Sequence, residues 1–480
     1  MFNKPNFEFK KININKPVGK IMILFWIVGG IVLAYIMTPE INIKSGGFIF
    51  WAIFVIGLIY LIAASMIKLP GRDGVDIVGE KVYQPPVSKT LMKGATLLIL
   101  ISVLWVFVSP IVMSKVFHAS SYASRIQVKD VEFSEVKEVD FTKTPIIDRA
   151  STSVLGDRVM GQMPELVSQF EVSDEYTQIS YDNSVYRVTP LEYAGFIKYL
   201  GNRKEGIPAY IKVNSVTGEA ELVKLKDLGL SGMKYVPSAY FNENLHRRLQ
   251  ILYPTTIFGD PSFEIDDEGH PWYVCTTYDY SAYLTKKKVT GVILFDPITG
   301  DSQKYEGVDN VPNWVDRIYP ESLIIEEIDN NGSLQSGFIN SIFGQKNVMV
   351  TSEGYNYLAQ DGDIYIYSGI TSANSDSSNL GFVLVNLRTH AAMRIKSPGA
   401  NENSAMNSAE GEVKNYGYDS TFPLLISVQG KPVYMMALKD DSGLIKMYAM
   451  VDATNYQKVA TIESDEGFNT LKKKFIGQDG

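Results

Sequence analysis

Three uninterrupted apolar runs dominate the first quarter of the chain. They are IMILFWIVGGIVLAYIMT at 21–38, GGFIFWAIFVIGLIYLIAASMI at 46–67 and GATLLILISVLWVFVSPIVMS at 94–114, and none contains a charged residue or a histidine. Each run is long enough to cross about 30 Å of hydrocarbon as a helix, an element that satisfies its own backbone hydrogen bonds in lipid. The pattern predicts three transmembrane helices and a protein in direct contact with the lipid bilayer.

The remainder alternates apolar and polar residues over short stretches, which is typical of half-buried strands separated by turns. The predicted elements are strand at 125–141, helices at 191–202 and 236–254, a hairpin turning at 267–269, loops at 372–379 and 397–412, and strands over 422–461. Strands mixed with a few helices predict a large β-rich α+β region, with its helices packed on antiparallel sheets.

These patterns divide the 480 residues into five predicted segments. They are an N-terminus at 1–20, a membrane region at 21–118 with a loop at 68–93, a membrane-proximal α+β segment at 119–205, an α+β unit with repeated hairpins at 206–325, and a β-rich C-terminal domain at 326–480. The length suits several domains of ordinary size.

Charge sets the predicted orientation. The net charge is -8, yet residues 1–120 carry +7, which leaves an acidic remainder. Five Lys/Arg residues lie in 1–20 and five in 68–93, against one in 39–45. The positive-inside rule therefore places residues 1–20 and the loop at 68–93 in the cytosol. Residues after 118 are then extracytoplasmic, in a multi-pass protein of the plasma membrane. The acidic remainder argues against nucleic-acid binding.

A cleaved signal peptide is the competing interpretation of the first apolar run. No small-x-small cleavage motif precedes Pro39, and two further apolar runs follow. A retained transmembrane helix is therefore the preferred interpretation.

One short pattern recurs in the polar region. YIKVNSVTGEAELV at 210–223 and VILFDPITGDSQKY at 292–305 each place Asn or Asp after a strand and Gly four positions later, and GFVLVNLRTHAAMRI at 381–395 is a degenerate third copy. An Asx side chain can bond to its own following backbone, and Gly accepts positive φ, so together they close a tight turn. The pattern therefore predicts hairpins and requires no ligand.

The copies at 210–223 and 292–305, with the predicted helix between them, resemble the PepSY-type modules of bacterial envelope and secreted proteins. The wider arrangement, including VSQFEVSDEYTQISY and VYMMALKDDSGLIKMYAMV, is similar to uncharacterised bacterial multi-pass membrane proteins. This resemblance implies a binding or regulatory role at the cell envelope, and it implies no catalytic residues.

Motifs for chemistry are absent from the sequence. The four histidines, at positions 118, 246, 270 and 390, do not fall at metal-ligand spacing, and the chain lacks the hydrolase elbow and the glycine-rich nucleotide loops. The acidic run at 266–268 lacks the spacing of a calcium loop and is interpreted as a solvated turn. Cys275, the one cysteine, is expected to be a buried structural thiol. The sequence predicts no cofactor and no metal.

Two groups of residues are candidates for binding a partner. His246, Arg247 and Arg248 lie on the polar side of the predicted helix at 236–254 and suit an anionic partner, although a solvated helix face fits them as well. The second group, Tyr278, Tyr280 and Tyr283, suits a sugar or peptide groove, although cross-strand packing is the commoner use of tyrosine in sheets.

The predicted function is a membrane-anchored binding, scaffold or regulatory protein of the bacterial envelope, without enzymatic activity and within a larger or homo-oligomeric assembly. One alternative is an envelope enzyme acting on peptidoglycan or peptide, which requires an acid or serine beside His270 or His390 in a pocket. Another is a channel or transporter component, which the uncharged spans disfavour. Gly29, Gly30 and Gly57 allow close packing of the spans with each other or with a membrane partner.

Overall fold

A computed structural model describes residues 16–67, 85–136, 138, 144–352, 354–360, 362–373 and 378–477. The chain forms two compact units. Unit 1 comprises Met1–Met113, Leu249–Ile257 and Tyr280–Lys287, and unit 2 comprises Ser114–Arg248, Phe258–Asp279 and Lys288–Gly480.

Three long helices form the body of unit 1. They are α1 (Lys16–Met37), α2 (Gly47–Ser65) and α3 (Pro86–Val112), and α2 packs against both of the others. All three are long and apolar enough to cross a membrane, as the sequence predicts. Helix α3 begins eight residues before the predicted start at 94, because Pro86 occupies its first turn, where the missing N–H costs nothing.

Two of the glycines in the spans serve the contact between α1 and α2. A Cβ on Gly30 would lie 2.1 Å from the Phe54 ring, and a Cβ on Gly57 would lie 2.4 Å from the Trp26 ring. Trp26 also donates its indole N–H to the Phe54 carbonyl at 3.0 Å. These glycines therefore allow the two helices to approach each other within the chain.

The loop between α1 and α2 is bonded by segments from far along the sequence. The N–H of Ile41 donates to the Pro254 carbonyl at 2.8 Å, and the N–H of Leu284 donates to the Lys44 carbonyl at 2.9 Å. These bonds place the three segments together at one end of the helices of unit 1.

Unit 2 begins with α4 (Lys115–Ala123) and β1 (Val128–Glu132). Beyond them, one arrangement of a helix followed by five strands occurs four times within the described residues, and residues 249–257 and 280–287 of its second occurrence belong to unit 1. We call these stretches repeat 1 (149–224), repeat 2 (245–306), repeat 3 (321–400) and repeat 4 (402–463). A final helix follows repeat 4.

The elements are as follows. Repeat 1 contains α5 (Arg149–Gly161), α6 (Pro164–Val167), β2 (Phe170–Val172), β3 (Thr177–Tyr181), β4 (Ser184–Tyr193), α7 (Phe196–Asn202), β5 (Ala209–Asn214) and β6 (Ala220–Lys224). Repeat 2 contains α8 (Leu245–Leu252), β7 (Ile257–Phe258), β8 (Ser262–Ile265), β9 (Pro271–Ala282), β10 (Thr285–Phe295) and β11 (Ser302–Glu306). Repeat 3 contains α9 (Glu321–Leu334), β12 (Met349–Thr351), β13 (Asn356–Gln360), β14 (Asp363–Ser372), β15 (Ser378–Asn386) and β16 (Ala392–Ala400). Repeat 4 contains α10 (Glu402–Glu412), β17 (Asp419–Ser420), β18 (Leu424–Val428), β19 (Lys431–Lys439), β20 (Ile445–Asp452) and β21 (Val459–Glu463), and α11 (Phe468–Gly477) follows it.

The four sheets have the same strand order. In each repeat the first and second strands both pair with the third, the third pairs with the fourth, and the fourth pairs with the fifth. Repeat 3 adds β1, which pairs in parallel with β16. Repeat 1 differs by carrying α7 between its third and fourth strands, and the predicted domain boundary between 205 and 206 falls inside this repeat.

The recurrent Asx pattern closes the hairpin between the fourth and fifth strands. Asn214, Asp296 and Asn386 each accept backbone N–H groups two and three residues later, so the hairpins predicted at all three copies are confirmed. Asp452 accepts the same pair of N–H groups in repeat 4, where the sequence predicts no Asx turn.

The predicted helix at 236–254 is mostly wrong, because α8 covers only its last half. Ser238 does not cap a helix here; its hydroxyl donates to Glu192 and accepts from the Tyr193 N–H at 2.9 Å. Asn244 takes the capping role instead, accepting the Arg247 N–H at 3.1 Å.

The loop predicted at 397–412 is also wrong, because most of it forms α10. Asn401 caps this helix by accepting the Ser404 N–H at 2.9 Å. Ala405, Ala409 and Val413 recur every four residues and are buried. The apolar stripe formed by these three residues, among Ser, Asn and Glu, packs the helix against the core.

Repeat 3 shares a hydrophobic core with repeat 1 and another with repeat 4. Val185 of repeat 1 lies in one cluster with Ile324 and Ile364 of repeat 3. Phe382 of repeat 3 lies in a second cluster with Leu424 of repeat 4. The three repeats therefore form one packed body in unit 2, and a cleft lies where they meet.

Candidate functional site

The cleft has a volume of about 620 Å³ and lies where repeats 1, 3 and 4 meet. Its lining side chains combine four charged groups with aromatic rings. They are Asp148, Arg149, Ala150, Ser153, Asp174, Tyr176 and Arg187 from the region of repeat 1, Tyr355, Asn356 and Tyr357 from repeat 3, and Phe422 from repeat 4.

Arg187 occupies a core position of the repeat. In each repeat the second and third strands meet at a turn, and Arg187 is the fourth residue of its third strand. Counted the same way, the other repeats carry Val274, Ile366 and Tyr434 there. All three are buried, and Arg187 is only 4% exposed. A charge therefore replaces a core side chain in repeat 1.

Arg187 uses only part of its hydrogen-bonding capacity on the described residues. Its Nη1 donates to the Ile147 carbonyl and to the Thr152 hydroxyl, the latter at 3.2 Å. Its Nε and Nη2 donate to no described residue. Its guanidinium carbon lies 5.9 Å from the centre of the Tyr357 ring. Burial lowers the pKa of Arg187, which marks a charge held away from water.

Asp148, an acidic residue of the cleft wall, is already bonded to other residues. Asp148 accepts Lys439 Nζ at 2.6 Å and the Ser151 N–H at 2.9 Å. Burial raises the pKa of Asp148, but the bonds from Lys439 and Ser151 outweigh that effect, so its pKa lies below the ordinary value. No described carboxylate lies within 4 Å of Arg187, so its charge has no ion pair among the described residues.

The opposite wall of the cleft is aromatic, and its Tyr357 ring is held in place by a hydrogen bond. The Tyr357 hydroxyl donates to Glu321 at 2.9 Å, and Glu321 is paired with Arg317 at 2.8 Å. This pairing holds the Tyr357 ring against Arg187. Across the cleft, the Tyr176 hydroxyl is buried and has no partner among the described residues, and burial raises its pKa.

A guanidinium whose Nε and Nη2 donate to no described residue, beside aromatic rings and a phenol with no described partner, is suited to an anionic group. Arginine binds carboxylates through two parallel hydrogen bonds, and the rings supply apolar contact for the rest of a ligand. None of the four histidines, all of which are described, lines the cleft. The cleft therefore holds binding groups and lacks an imidazole base.

The predicted basic group on α8 is engaged locally. His246 packs on Phe258 with the ring centres 5.2 Å apart. Arg247 donates to the Phe241 carbonyl at 2.6 Å, and Arg248 lies over the Tyr235 ring at 5.6 Å.

The predicted tyrosine group is largely internal. Tyr278 is 6% exposed and Tyr283 is 7% exposed, while Tyr280 is half-buried. Neither this group nor the basic group on α8 lines the Arg187 cleft, and partner binding at the six residues stays a prediction.

Both histidines named for a possible enzyme site have an acidic neighbour. His270 Nε2 lies 3.4 Å from Asp296, and His390 Nε2 lies 2.6 Å from Glu327 while its ring stacks on Tyr319. These pairs tie turns to the body of unit 2. Cys275 is buried, as predicted. No group of three or more metal-ligating side chains occurs in the part of the chain that the structure describes.

Comparison of the chain with protein-family models, curated proteins and solved structures finds no match. The geometry of the cleft alone therefore defines the candidate site. Sequence reasoning missed Arg187, because SVYRVTP is an ordinary strand pattern. An alignment of the four repeats could have found it, because Arg187 occupies the position that Val274, Ile366 and Tyr434 occupy in the other repeats.

Proposed function

We propose that this chain is a membrane-anchored extracytoplasmic binding protein of the bacterial cell envelope, and that it binds the carboxylate of a small amphipathic molecule or peptide in the cleft. The N-terminus is cytosolic in this proposal, and the PepSY-type resemblance is part of it. One observation carries the proposal: Arg187 is buried at the cleft without an ion pair among the described residues.

Two observations support this topology. Three helices suited to crossing the membrane leave the residues after α3 on the opposite side from the N-terminus. The loop between α1 and α2 lies on that same opposite side, and it is bonded to Pro254 and to Leu284. Segments bonded to each other must share one side of the bilayer, so the proposed topology is self-consistent.

The energetics of Arg187 support a ligand. A buried charge without a partner costs several kcal/mol, which a core position does not tolerate without compensation. A carboxylate that enters the cleft would supply the missing partner. Charge-assisted hydrogen bonds contribute about 1.5–3 kcal/mol each, so loss of two such bonds with the guanidinium should weaken the ligand by about a hundredfold or more.

The experiment compares the full-length protein with an Arg187→Met variant in detergent micelles. The probes are the dipeptide Ala-Ala and its C-terminal amide, which differ only in the carboxylate, and binding is measured by calorimetry and by thermal shift. We expect the wild type to bind the acid and not the amide, and the variant to bind neither. Its melting temperature should equal or exceed that of the wild type, because an unpaired buried charge has been removed.

Two variants separate binding from structure. Arg149→Met removes a cleft cation whose side chain is 59% exposed, and its effect on affinity should be smaller. A marked loss of stability in Arg187→Met, without binding of the acid by the wild type, would assign Arg187 a structural role and reject the proposal.

A further inference from the structure

The charged side chains of the cleft are two bases and two acids, namely Arg149, Arg187, Asp148 and Asp174. The Asp148 carboxylate is bonded at 2.6 Å to a lysine outside the cleft, and Arg149 lies 3.7 Å from Glu175. Arg187 and Asp174 have no ion pair within 4 Å among the described residues. The cleft wall therefore presents one cation and one anion without a described counter-ion, a pattern that complements a ligand carrying both charges.

Asp174 reaches the cleft on the loop that joins the first and second strands of repeat 1. The same loop in repeat 3 contributes Tyr355, and the same loop in repeat 4 contributes Phe422. Tyr176, at the end of this loop in repeat 1, packs on α5 so closely that a Cβ on Gly156 would overlap its hydroxyl oxygen. Three equivalent loops thus converge on the cleft, and the loop that carries Asp174 is packed against α5.

The strand register sets the separation between Asp174 and Arg187. The N–H of Ser173, the residue before Asp174, donates to the Pro190 carbonyl at 3.1 Å. Pro190 follows Arg187 on β4 by three residues, and a strand rises about 3.3 Å per residue, which gives about 10 Å along the strand. Thr189, on the same face as Arg187, donates its hydroxyl to the Ser173 carbonyl at 2.9 Å, so the loop lies on that face. Because both charged side chains line the cleft, about two or three residues of extended peptide bridge them.

A second carboxylate adds negative charge beside Asp174. Burial raises the pKa of Asp157 on α5, and the Asp174 carboxylate raises it further. Burial also raises the pKa of Tyr176, with smaller contributions from both carboxylates. The two acids therefore lie near each other and near this phenol, and their charges favour a cation on this side of the cleft, while Arg187 favours an anion on the other.

We propose that the cleft binds a short peptide with both termini free, whose carboxylate bonds to Arg187 and whose ammonium group bonds to Asp174. This inference rests on the proposed function and adds the second charged group of its ligand. An ammonium group and a carboxylate form charge-assisted hydrogen bonds. The aromatic rings of the cleft supply apolar contact for the peptide between its termini.

The experiment measures the affinity of the full-length protein in detergent micelles for Ala-Ala and for N-propionylalanine, by calorimetry at neutral pH. N-propionylalanine differs from Ala-Ala only in lacking the amino group. We expect the wild type to bind Ala-Ala about fivefold more tightly, the gain from an ion pair with an exposed carboxylate. Asp174→Asn should bind both ligands equally, with the affinity of the wild type for N-propionylalanine. Asp174 is exposed, so the variant should keep the wild-type melting temperature.

The matched control is Glu171→Gln. Glu171 is an exposed acid three residues before Asp174, and it is not among the residues that line the cleft. Its substitution removes the same charge and should leave the preference for Ala-Ala unchanged. Equal affinity of the wild type for the two ligands overturns the inference and leaves the proposed function standing, whereas binding of neither ligand rejects both. A preference that survives in Asp174→Asn, or that falls equally in Glu171→Gln, also overturns the inference, because the ammonium group would then not contact Asp174.

Discussion

Repeats 1 and 4 share a strand order and differ at one decisive core position. In repeat 4 this position is Tyr434, which is buried and donates its hydroxyl to the Ala400 carbonyl at 2.8 Å. In repeat 1 it is Arg187, whose neighbours leave a cleft of about 620 Å³. The comparison teaches that one core position can carry a charge beside a cleft while the strand pairing of the repeat stays intact.

The two repeats also differ in the connection between their third and fourth strands. Repeat 4 uses a turn in which Asp440 accepts the Ser442 and Leu444 N–H groups, both at 3.0 Å. A bond from the Ser442 hydroxyl, at 2.6 Å, and the bond from the Leu444 N–H hold the pKa of Asp440 down at about 2. Repeat 1 uses α7, which presents Phe196 and Ile197 to solvent. Variation is thus tolerated at an exposed connection, as expected for loops on a fixed sheet.

The strongest test of the comparison exchanges its two residues. Tyr434→Arg places a larger, charged side chain in a packed core, and we expect it to destabilise the protein by about 2–4 kcal/mol, because the guanidinium loses its water and the buried Glu402, linked to Tyr434 through Asn379, offsets only part of that cost. Thermal melting of the full-length protein in detergent measures the effect. Arg187→Tyr, in contrast, should be close to neutral for stability.

The control for this exchange is Tyr434→Phe, which removes the hydroxyl bond alone and should cost only about 1 kcal/mol. Equal melting temperatures for Tyr434→Arg and Arg187→Tyr would show that the two positions do not differ in their tolerance of charge.

A second difference between the repeats lies five residues before each Asx turn. Repeats 2 and 3 have Gly291 and Gly381 there, both with φ of +152°, while repeats 1 and 4 have Ala209 and Met447. A Cβ on Gly291 would lie 2.0 Å from the Tyr305 carbonyl oxygen. The glycine repeats therefore bring two strands closer than a side chain permits.

We expect Gly291→Ala to lower the free energy of unfolding by about 2–4 kcal/mol. The new Cβ would clash with the Tyr305 carbonyl, and the positive φ is strained for alanine. Circular dichroism melts compare it with Gly307→Ala, where φ is also positive but a Cβ would meet no atom within 4 Å. A variant at 291 no less stable than the one at 307 would refute the close approach.

The membrane helices and the hairpins were predictable because their signals are local. An apolar run of about 20 residues and an Asx–Gly pair both act within one segment. The fourth hairpin was not predicted because no glycine stands four positions after Asp452. Its carboxylate nevertheless accepts the N–H groups of Thr454 and Asn455, as in the other hairpins. Helix boundaries escaped where capping depended on tertiary contacts, as when Glu192 engages Ser238.

The cleft was not predictable from one sequence because its parts are distant in the chain. Arg187 meets Tyr357 only because repeats 1 and 3 pack together, and Phe422 arrives from repeat 4. Strand periodicity shows that Arg187 and Val185 share a face, and nothing in it indicates that one of them borders a cavity. The basic residues and tyrosines chosen from the sequence were prominent by composition, which does not report burial.

The Asx turns of repeats 1 and 2 provide a smaller test. Asn214 accepts the Val216 and Thr217 N–H groups, whereas Asp296 accepts two N–H groups and also the Thr299 hydroxyl at 3.0 Å. We expect Asp296→Ala to cost about 1–3 kcal/mol and Asn214→Ala about 1 kcal/mol, because bonds to a charged acceptor are stronger. Asp296→Asn should recover part of the loss in the same melts, and equal losses for both alanine variants would remove the distinction.

The smallest expected effect is a pH dependence found in repeat 2. The Asp296 carboxylate raises the pKa of His270 above 6.5, with Asp266 contributing, and the pKa of Asp296 lies below its usual value. A histidine whose pKa is raised on folding stabilises the protein fully below pH 6.5, and this contribution is lost as the pH rises through the folded pKa. The stability lost in His270→Gln should therefore shrink as the pH rises above 6.5, from a value of about 1 kcal/mol or less for a partly exposed pair. His246→Gln is the control for the loss of an imidazole that packs on an aromatic ring, because no described carboxylate lies within 4 Å of His246. A His270 effect that stays constant or grows toward high pH would show that the imidazole acts by packing on Trp272 and not by its charge.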